Sequence, residues 1–266
     1  MGIFNAVSTK SALKKALKKQ LIKVNGSIAT TATFIQQGDH IILSIPKKDG
    51  LKKSLIFPLK VLFEDDYLTI IHKPAGILVS GNSFKTIVNA LPQNLKTSTL
   101  SDATIPQPVH RLDYATTGLL LVGKTSSSIR NLNKLFENKE VNKVYFAIAI
   151  GEMDQKGAIN SNIDSKKSHS NYLLIDSVLS ERFGKLNLVQ LIPETGRRHQ
   201  LRKHLSSIGN PILGDKDYGV ENLILKGKGL YLHAYSLEFV HPFTNELIHL
   251  KDKLPQRFNK IFKPSN

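Results

Sequence analysis

The run Leu119-Leu120-Leu121-Val122, entered through Gly118, constrains the fold of this chain more than any other feature. It is wholly apolar, so it reads as a strand buried on both faces, which requires other layers above and below it. Further strand-like segments surround it in sequence. They fall at 67–72, closing on the turn Lys73-Pro74-Ala75-Gly76, and at 141–150, 172–180, 186–192, 231–239 and 246–250. Helical patterns are confined to 129–137 and 197–207. Many strands with few helices predict an α+β architecture on an antiparallel or mixed sheet, spanning residues 60–266.

Residues 1–45 have a different character. A short amphipathic helix is expected over 9–21, capped by Ser8 or Thr9, with Leu13, Ala16, Leu17 and Leu21 inward and Lys10, Lys14, Lys15, Lys18 and Lys19 outward. Extended pieces at 22–24, 28–34 and 40–45 follow, separated by the turn pairs Asn25-Gly26 and Gly38-Asp39. No acid interrupts the lysines between Thr9 and Val24, so helix-face ion pairs cannot neutralise them, and contact with phosphate is the better reading of Lys14, Lys15, Lys18 and Lys19. Residues 46–59 mix Pro46, Pro58, Gly50 and four lysines, as an interdomain linker does.

A formal charge of +16, from 37 Lys and Arg against 21 Asp and Glu, points to a polyanionic partner such as nucleic acid. A membrane surface is the competing polyanion. Against it, no apolar stretch approaches the roughly 20 residues that span a bilayer, residues 1–10 hold no continuous apolar core of a signal peptide, and Ala6 breaks the myristoylation pattern. The chain has no cysteine, which excludes disulfides, thiolate catalysis and Cys-based zinc sites. A cytoplasmic monomer is expected.

Three segments are able to carry chemistry. In His110-Arg111-Leu112-Asp113-Tyr114-Ala115-Thr116-Thr117-Gly118 an acid stands near an arginine just ahead of the buried strand. Its carboxylate either caps the amides of a turn, as Asp often does, or is free for a reaction. In the strand 143–150, Lys143, Tyr145, Ala147 and Ala149 share one face; Tyr145 is either a core ring or, flanked by small residues, a stacking platform for a planar base. In Thr195-Gly196-Arg197-Arg198-His199-Gln200-Leu201-Arg202-Lys203-His204-Leu205, Thr195 is the expected cap, Leu201, Leu205 and Ile208 form the inner face, and Gly209 stops the helix. Arg202 lies between Leu201 and Leu205, partly toward the core, where a guanidinium calls for a carboxylate. Phosphate-loop, dinucleotide, nucleophile-elbow and zinc-protease motifs are missing, and His199 and His204 are spaced too far round a helix to share a metal. No cofactor and no metal are expected.

Two resemblances gather these segments. "K-S-A-L-K-K-A-L-K-K … I-K-V-N-G … T-T-A-T-F-I-Q-Q-G-D-H-I", within residues 1–45, resembles the S4 RNA-binding domain, with an abbreviated first helix. "E-D-D-Y-L-T-I-I-H-K-P-A-G", "H-R-L-D-Y-A-T-T-G-L-L-L", "N-K-V-Y-F-A-I-A-I-G-E", "T-G-R-R-H-Q-L-R-K-H-L … G-N-P-I-L-G-D-K-D-Y-G" and "L-H-A-Y-S-L-E-F-V-H-P" follow in order over about 60–252 and closely resemble the RluA family of RNA pseudouridine synthases. The family usually has two charged residues after the Asp and Thr-Ser before the Gly. Here Tyr114-Ala115 and Thr116-Thr117 stand there, at the rim of the site, where substrate choice is made.

The resemblance implies an isomerisation without external reactant. The N1 glycosidic bond of a uridine in RNA breaks, the uracil rotates, and C5 joins the same ribose carbon. Asp113 aligns with the essential aspartate, either a nucleophile on the ribose or a base that removes a ribose proton. Both roles require a carboxylate, and Arg202 aligns with its arginine partner. Tyr145 aligns with the ring that stacks on the target base and assists the proton shift at C5. Arg111 aligns with the arginine that supports RNA whose uridine has left the stack. Lys73 and Lys143 are further candidates for phosphate or structural contacts. Large-subunit ribosomal RNA is the expected substrate and tRNA the alternative. A non-catalytic RNA-binding or ribosome-assembly protein is the alternative from another class, disfavoured because binding alone does not require Asp113, Tyr145 and Arg202 as a set.

Overall fold

A computed structural model describes residues 7, 9–44, 55–225, 227 and 229–262. The chain divides into two compact units, Met1–Lys53 and Ser54–Asn266.

The smaller unit starts with α1, Lys10–Lys18, because the Thr9 hydroxyl accepts the Ala12 amide at 3.1 Å. Three short strands follow: β1 (Ile22–Val24), β2 (Ser27–Ile28) and β3 (Ile41–Leu43), in the antiparallel order β2-β1-β3. Asn25 and Gly26 both have positive φ, 49° and 83°, which a tight two-residue hairpin demands. The core is small: Ala16, Ile22 and Ala29 are buried, and Leu13, expected inside, is 36% exposed. The extended piece expected over 28–34 ends at Ile28. There the Thr33 hydroxyl accepts the Thr30 amide and the Thr30 hydroxyl accepts the Ala32 amide, so a local turn replaces ladder bonds. Ser8, the end of the strand expected at 40–45 and most of the expected linker lie outside the described residues. The last residues of that linker are core: Leu59 is buried, and Leu55 and Phe57 pack with it on the larger unit.

The larger unit is built on one ten-stranded sheet. Its members are β4 (Lys60–Glu64), β5 (Leu68–Lys73), β6 (Ala103–Pro108), β7 (Thr117–Thr125), β8 (Asn142–Ile150), β9 (Lys156–Ile163), β10 (Lys166–Ser180), β11 (Gly184–Pro193), β12 (Leu232–Val240) and β13 (Leu247–Lys251). The main order is β4-β5-β7-β12-β8-β11-β10-β9, with β6 on β7 and β13 on β12. All pairs are antiparallel except β7–β12. Every residue of β7 is buried: Leu120 and Val122 enter one apolar cluster and Leu119 and Leu121 another, so the strand is covered on both faces. Four helices, α2 (Ile87–Ala90), α3 (Ser126–Glu137), α4 (Gln200–Ser207) and α5 (Gln256–Asn259), accompany the sheet. Among the described residues no helix is long and apolar enough to cross a membrane.

The parallel β7–β12 join unites two antiparallel halves, and it requires Gly118. A Cβ there would lie 2.2 Å from the Ala234 carbonyl oxygen, and φ is +115°. Register sets Gly118 opposite Ala234, and Ala234 opposite Tyr145 on the next strand, β8. The loop carrying Asp113 thus enters the sheet one strand away from Tyr145.

Candidate active site

Asp113 sits in the loop between β6 and β7, and its backbone, not its side chain, holds the turn. The Asp113 carbonyl accepts the Thr116 amide at 3.1 Å, and the Tyr114 carbonyl accepts the Gly76 amide at 2.9 Å. Lys73, fully buried at the end of β5, completes the support by donating to the carbonyls of Pro74 at 3.0 Å, Tyr114 at 3.3 Å and Thr116 at 2.9 Å. Burial pushes the Lys73 ammonium down to about 8, against the opposing pull of the Asp113 charge. Among the described residues the Asp113 carboxylate receives no hydrogen bond. The reading of Asp113 as a turn cap therefore fails.

Facing that carboxylate are two side chains of one short segment. His199 Nε2 lies 3.7 Å from Asp113 Oδ1, and Arg202 Nη1 lies 3.8 Å from Oδ2. Arg202 is 6% exposed and held from behind. Its Nε and Nη2 grip the two oxygens of Asp215 at 2.6 Å each, Nη2 also donates to Asp217 Oδ2 at 2.6 Å, and the guanidinium rests 4.9 Å from the centre of the Tyr218 ring. Burial opposes the charge, but the bonds to Asp215 and Asp217 outweigh it and raise the Arg202 pKa. The buried arginine thus has its acid, as expected, but that acid is Asp215; Asp113 stands beyond hydrogen-bond reach of the remaining nitrogen, Nη1.

His199 corrects the expected helix start. It has left-handed backbone angles, φ 55° and ψ 26°, and α4 begins after it at Gln200, not at Arg197. Thr195 does not cap the helix, because its hydroxyl donates to Gln200 Oε1 at 2.6 Å while that oxygen also accepts the Arg197 amide. Ile208, expected on the inner face, is 40% exposed past the helix end. His199 Nδ1 pairs with the Tyr218 hydroxyl at 2.9 Å, which points the other nitrogen at Asp113. Burial, reinforced by Arg202 and Arg198 and opposed by Asp113 and Asp217, lowers the His199 pKa from its ordinary value, which favours the neutral imidazole.

Tyr145 completes the cleft, whose lining includes Arg111, Asp113, Tyr145, His199 and Arg202. Burial and then the nearby Asp113 charge push the phenol pKa up, so it is a neutral ring with its proton in place. The open face expected along β8 is limited to the Lys143–Tyr145 end. Ala147 and Ala149 are fully buried, where the segment around Ile212 and Leu213 bonds to β8. Arg111 is exposed on the rim, with no carboxylate within 4 Å among the described residues. Lys14, Lys15 and Lys18 are exposed on α1 and Lys19 is exposed at its C-cap; all four belong to the other compact unit.

The model of the family described as RNA pseudouridylate synthase matches residues 67–207, which span β5 to α4 and contain Asp113, Tyr145 and Arg202. The chain belongs to the RNA pseudouridylate synthase family. It is 31% identical to ribosomal large subunit pseudouridine synthase D of Nitrosomonas europaea, over 93% of this chain and 77% of that protein. It is 32% identical to ribosomal large subunit pseudouridine synthase C of Rickettsia felis, over 96% and 91%. The solved structure of human RNA pseudouridylate synthase domain containing 4 aligns with a TM-score of 0.61 at 27% identity, over 75% of this chain and 90% of that one. The protein is accordingly an RNA pseudouridine synthase, an isomerase built on a mixed sheet.

Four residues that hold the candidate site together were weakly readable or missed. Lys73 was one of several candidate cations, and the Lys-Pro turn closing a strand was its signal. His199 stood out only as a ring unable to share a metal with His204. Asp215 and Asp217 lie in a loop beyond Gly209, with nothing local to tie them to Arg202. The requirement that a core-facing arginine have a carboxylate was the one signal that called for them.

Proposed function

We propose that this synthase isomerises uridine in large-subunit ribosomal RNA, with Asp113 as the carboxylate that acts on the ribose. The observation that carries the assignment is the Asp113 carboxylate itself. It is partly buried and unused by its own turn, and it faces His199 and Arg202 across a cleft that also presents Tyr145. A carboxylate left free by its own turn, in a cleft it shares with a histidine, an arginine and a tyrosine, is a site for chemistry. Asp215 and Asp217 orient Arg202 so that Nη1 meets Asp113 as the cleft closes on RNA, tightening 3.8 Å to a hydrogen bond. Tyr145, a neutral ring at the floor, stacks on the uracil and carries a proton near C5. Arg111 at the rim supports the strand from which the uridine has been extruded.

Ribosomal RNA is favoured by the two relatives whose names state that substrate. The smaller unit fits an S4-like accessory module: its short helix and the C-cap residue after it expose Lys14, Lys15, Lys18 and Lys19 without acid partners among the described residues, which adds phosphate contacts to folded RNA. Action on ribosomal RNA implies the cytoplasm as the working compartment.

The test is to map pseudouridine in total RNA from cells lacking the protein, complemented with wild type or Asp113→Asn. One or more large-subunit sites lost in the deletion and restored only by wild type is the expected result. Loss confined to tRNA would move the substrate assignment, and restoration by Asp113→Asn would remove Asp113 from the chemistry.

A further inference from the structure

Beyond Arg111, on the side away from Asp113, the cleft opens into a second groove of about 480 Å³ lined by Phe136, Lys139, Lys143, Glu194 and Arg197. Arg111, Tyr145, Thr195 and Arg197 line both spaces, so the groove continues the cleft without a break. We infer that Lys139, Lys143 and Arg197 form a subsite for the backbone phosphate of a nucleotide flanking the target uridine.

The charges carry this inference. Four cations, Arg111, Lys139, Lys143 and Arg197, line the groove, and none has a carboxylate within 4 Å among the described residues. Two acids share the lining. Glu194 is turned to the neighbouring strand, pairing with His169 at 3.1 Å and accepting from Asn171 at 3.0 Å, and Glu137 makes no ion pair among the described residues. Lys143 is half-buried on β8, and both burial and the charge of Lys139 push its pKa down. A desolvated ammonium beside a second one costs stability unless an anion neutralises both. Arg197 spends its Nε on the Lys167 carbonyl at 3.2 Å, leaving the terminal nitrogens of its fork for another acceptor.

The same residues say why the ligand is a phosphodiester and not a stacked base. Tyr145 belongs to the cleft as well, and the groove's own phenyl ring, Phe136, already carries the His110 ring, stacked at 4.8 Å and 23°, and the Lys143 ammonium at 5.7 Å from its centre. Burial, with Lys143 adding, pushes His110 down to about 3, so it brings no charge of its own. Lys139 is fixed by a tight turn between α3 and β8. It adopts φ +61° while its amide donates to the Phe136 carbonyl and the next amide donates to the Leu135 carbonyl. Apart from the Tyr145 ring that it shares with the cleft, which the target base takes, the groove therefore offers cations and no free ring face. Continuity with a cleft that takes one nucleotide of an RNA chain makes the adjoining phosphate the natural occupant, and this assignment rests on the functional reading above.

The experiment measures binding of the full chain to a fluorescein-labelled oligouridylate by anisotropy across a potassium chloride series. Lys139→Asn, which tolerates the left-handed backbone, is combined with Lys143→Gln. Each cation on a single-stranded phosphate contributes a slope of about 0.7 in log Kd against log salt, so the double variant is expected to lose about 1.4. Lys143→Arg, which keeps the charge, is expected to keep the wild-type slope. Should the double variant unfold, the exposed Lys139→Asn alone is expected to lose about 0.7. A folded variant with an unchanged slope overturns the subsite. If wild type isomerised no RNA while the slope still fell, the phosphate subsite would stand and the catalytic assignment would fail. If wild type isomerised RNA and the slope did not move, the subsite alone would be wrong.

Discussion

The two walls of the candidate cleft place their polar side chains by opposite means. On one wall Asp113 is positioned through its backbone: Lys73 and Gly76 hold the carbonyls of the loop, and the carboxylate itself is left without a hydrogen bond among the described residues. On the other wall Arg202 is positioned through its side chain, with three hydrogen bonds to Asp215 and Asp217 and an aromatic contact from Tyr218. Reactivity and stability are therefore separable on the first wall and fused on the second. A group that holds nothing can be changed without structural penalty, whereas a guanidinium that neutralises a buried acid cannot.

That contrast can be broken at four positions, in falling order of effect. Asp113→Asn is expected to lower pseudouridine formation by roughly 10³-fold or more while moving the unfolding free energy by no more than about 0.5 kcal/mol. A large loss of stability would show that the carboxylate holds the loop after all. Arg202→Gln leaves Asp215 buried without its partner, and denaturant unfolding is expected to show a loss of about 3–5 kcal/mol. A stable, merely inactive variant would contradict the fused role. Lys73→Met keeps Asp113 but frees its loop, with activity expected to fall by roughly 10²-fold.

Lys73 also has a pH signature. Its folded pKa, about 8, lies below the ordinary 10.5, so between these values the unfolded state binds more protons than the folded one. Wild type should therefore gain stability relative to Lys73→Met as pH rises through that window, by at most about 3 kcal/mol. A pH-independent difference would mean that Lys73 is not a strained cation. The smallest effect is expected at Asp217, whose side chain is 60% exposed. Asp217→Asn should cost less than about 1 kcal/mol, because solvent screens an exposed pair. If it matched Arg202→Gln, the support of Arg202 would rest on the outer acid and not on Asp215.

Sequence made the apolar parts of this fold legible and the polar parts obscure. β7 announces itself because both faces are buried, β11 and β12 are readable within a residue or two because most of their residues are buried as well, and β8 is readable from its alternation. β6 was hidden by Pro106, Gln107 and Pro108, tolerated because it pairs with β7 in only a few registers. β9 and the first turns of β10, Lys-Lys-Ser-His-Ser-Asn, are polar and are strands only because antiparallel ladders bind them. The site divides in the same way. Asp113, Tyr145, Arg111 and Arg202 lie in segments whose residue types suggest chemistry. Lys73, Asp215 and Asp217 act through contacts 43, 13 and 15 residues away, which no local pattern encodes. His199 was displaced from a helix to its threshold because Gln200, not Thr195, takes the free amide.

The parallel join at Gly118 also has a consequence in time. It brings Thr117 beside Leu232, 115 residues further along the chain, a longer closure than that of any antiparallel strand pair in the sheet, including β8–β12, where Leu232 pairs with Ala147. Loops of that length close late, after local hairpins have formed. The enzyme is thus expected to emerge from synthesis as two preformed half-sheets and to acquire its cleft only when they meet. Until then Asp113 and Tyr145 belong to separate objects, and an incomplete chain has no place to hold a uridine.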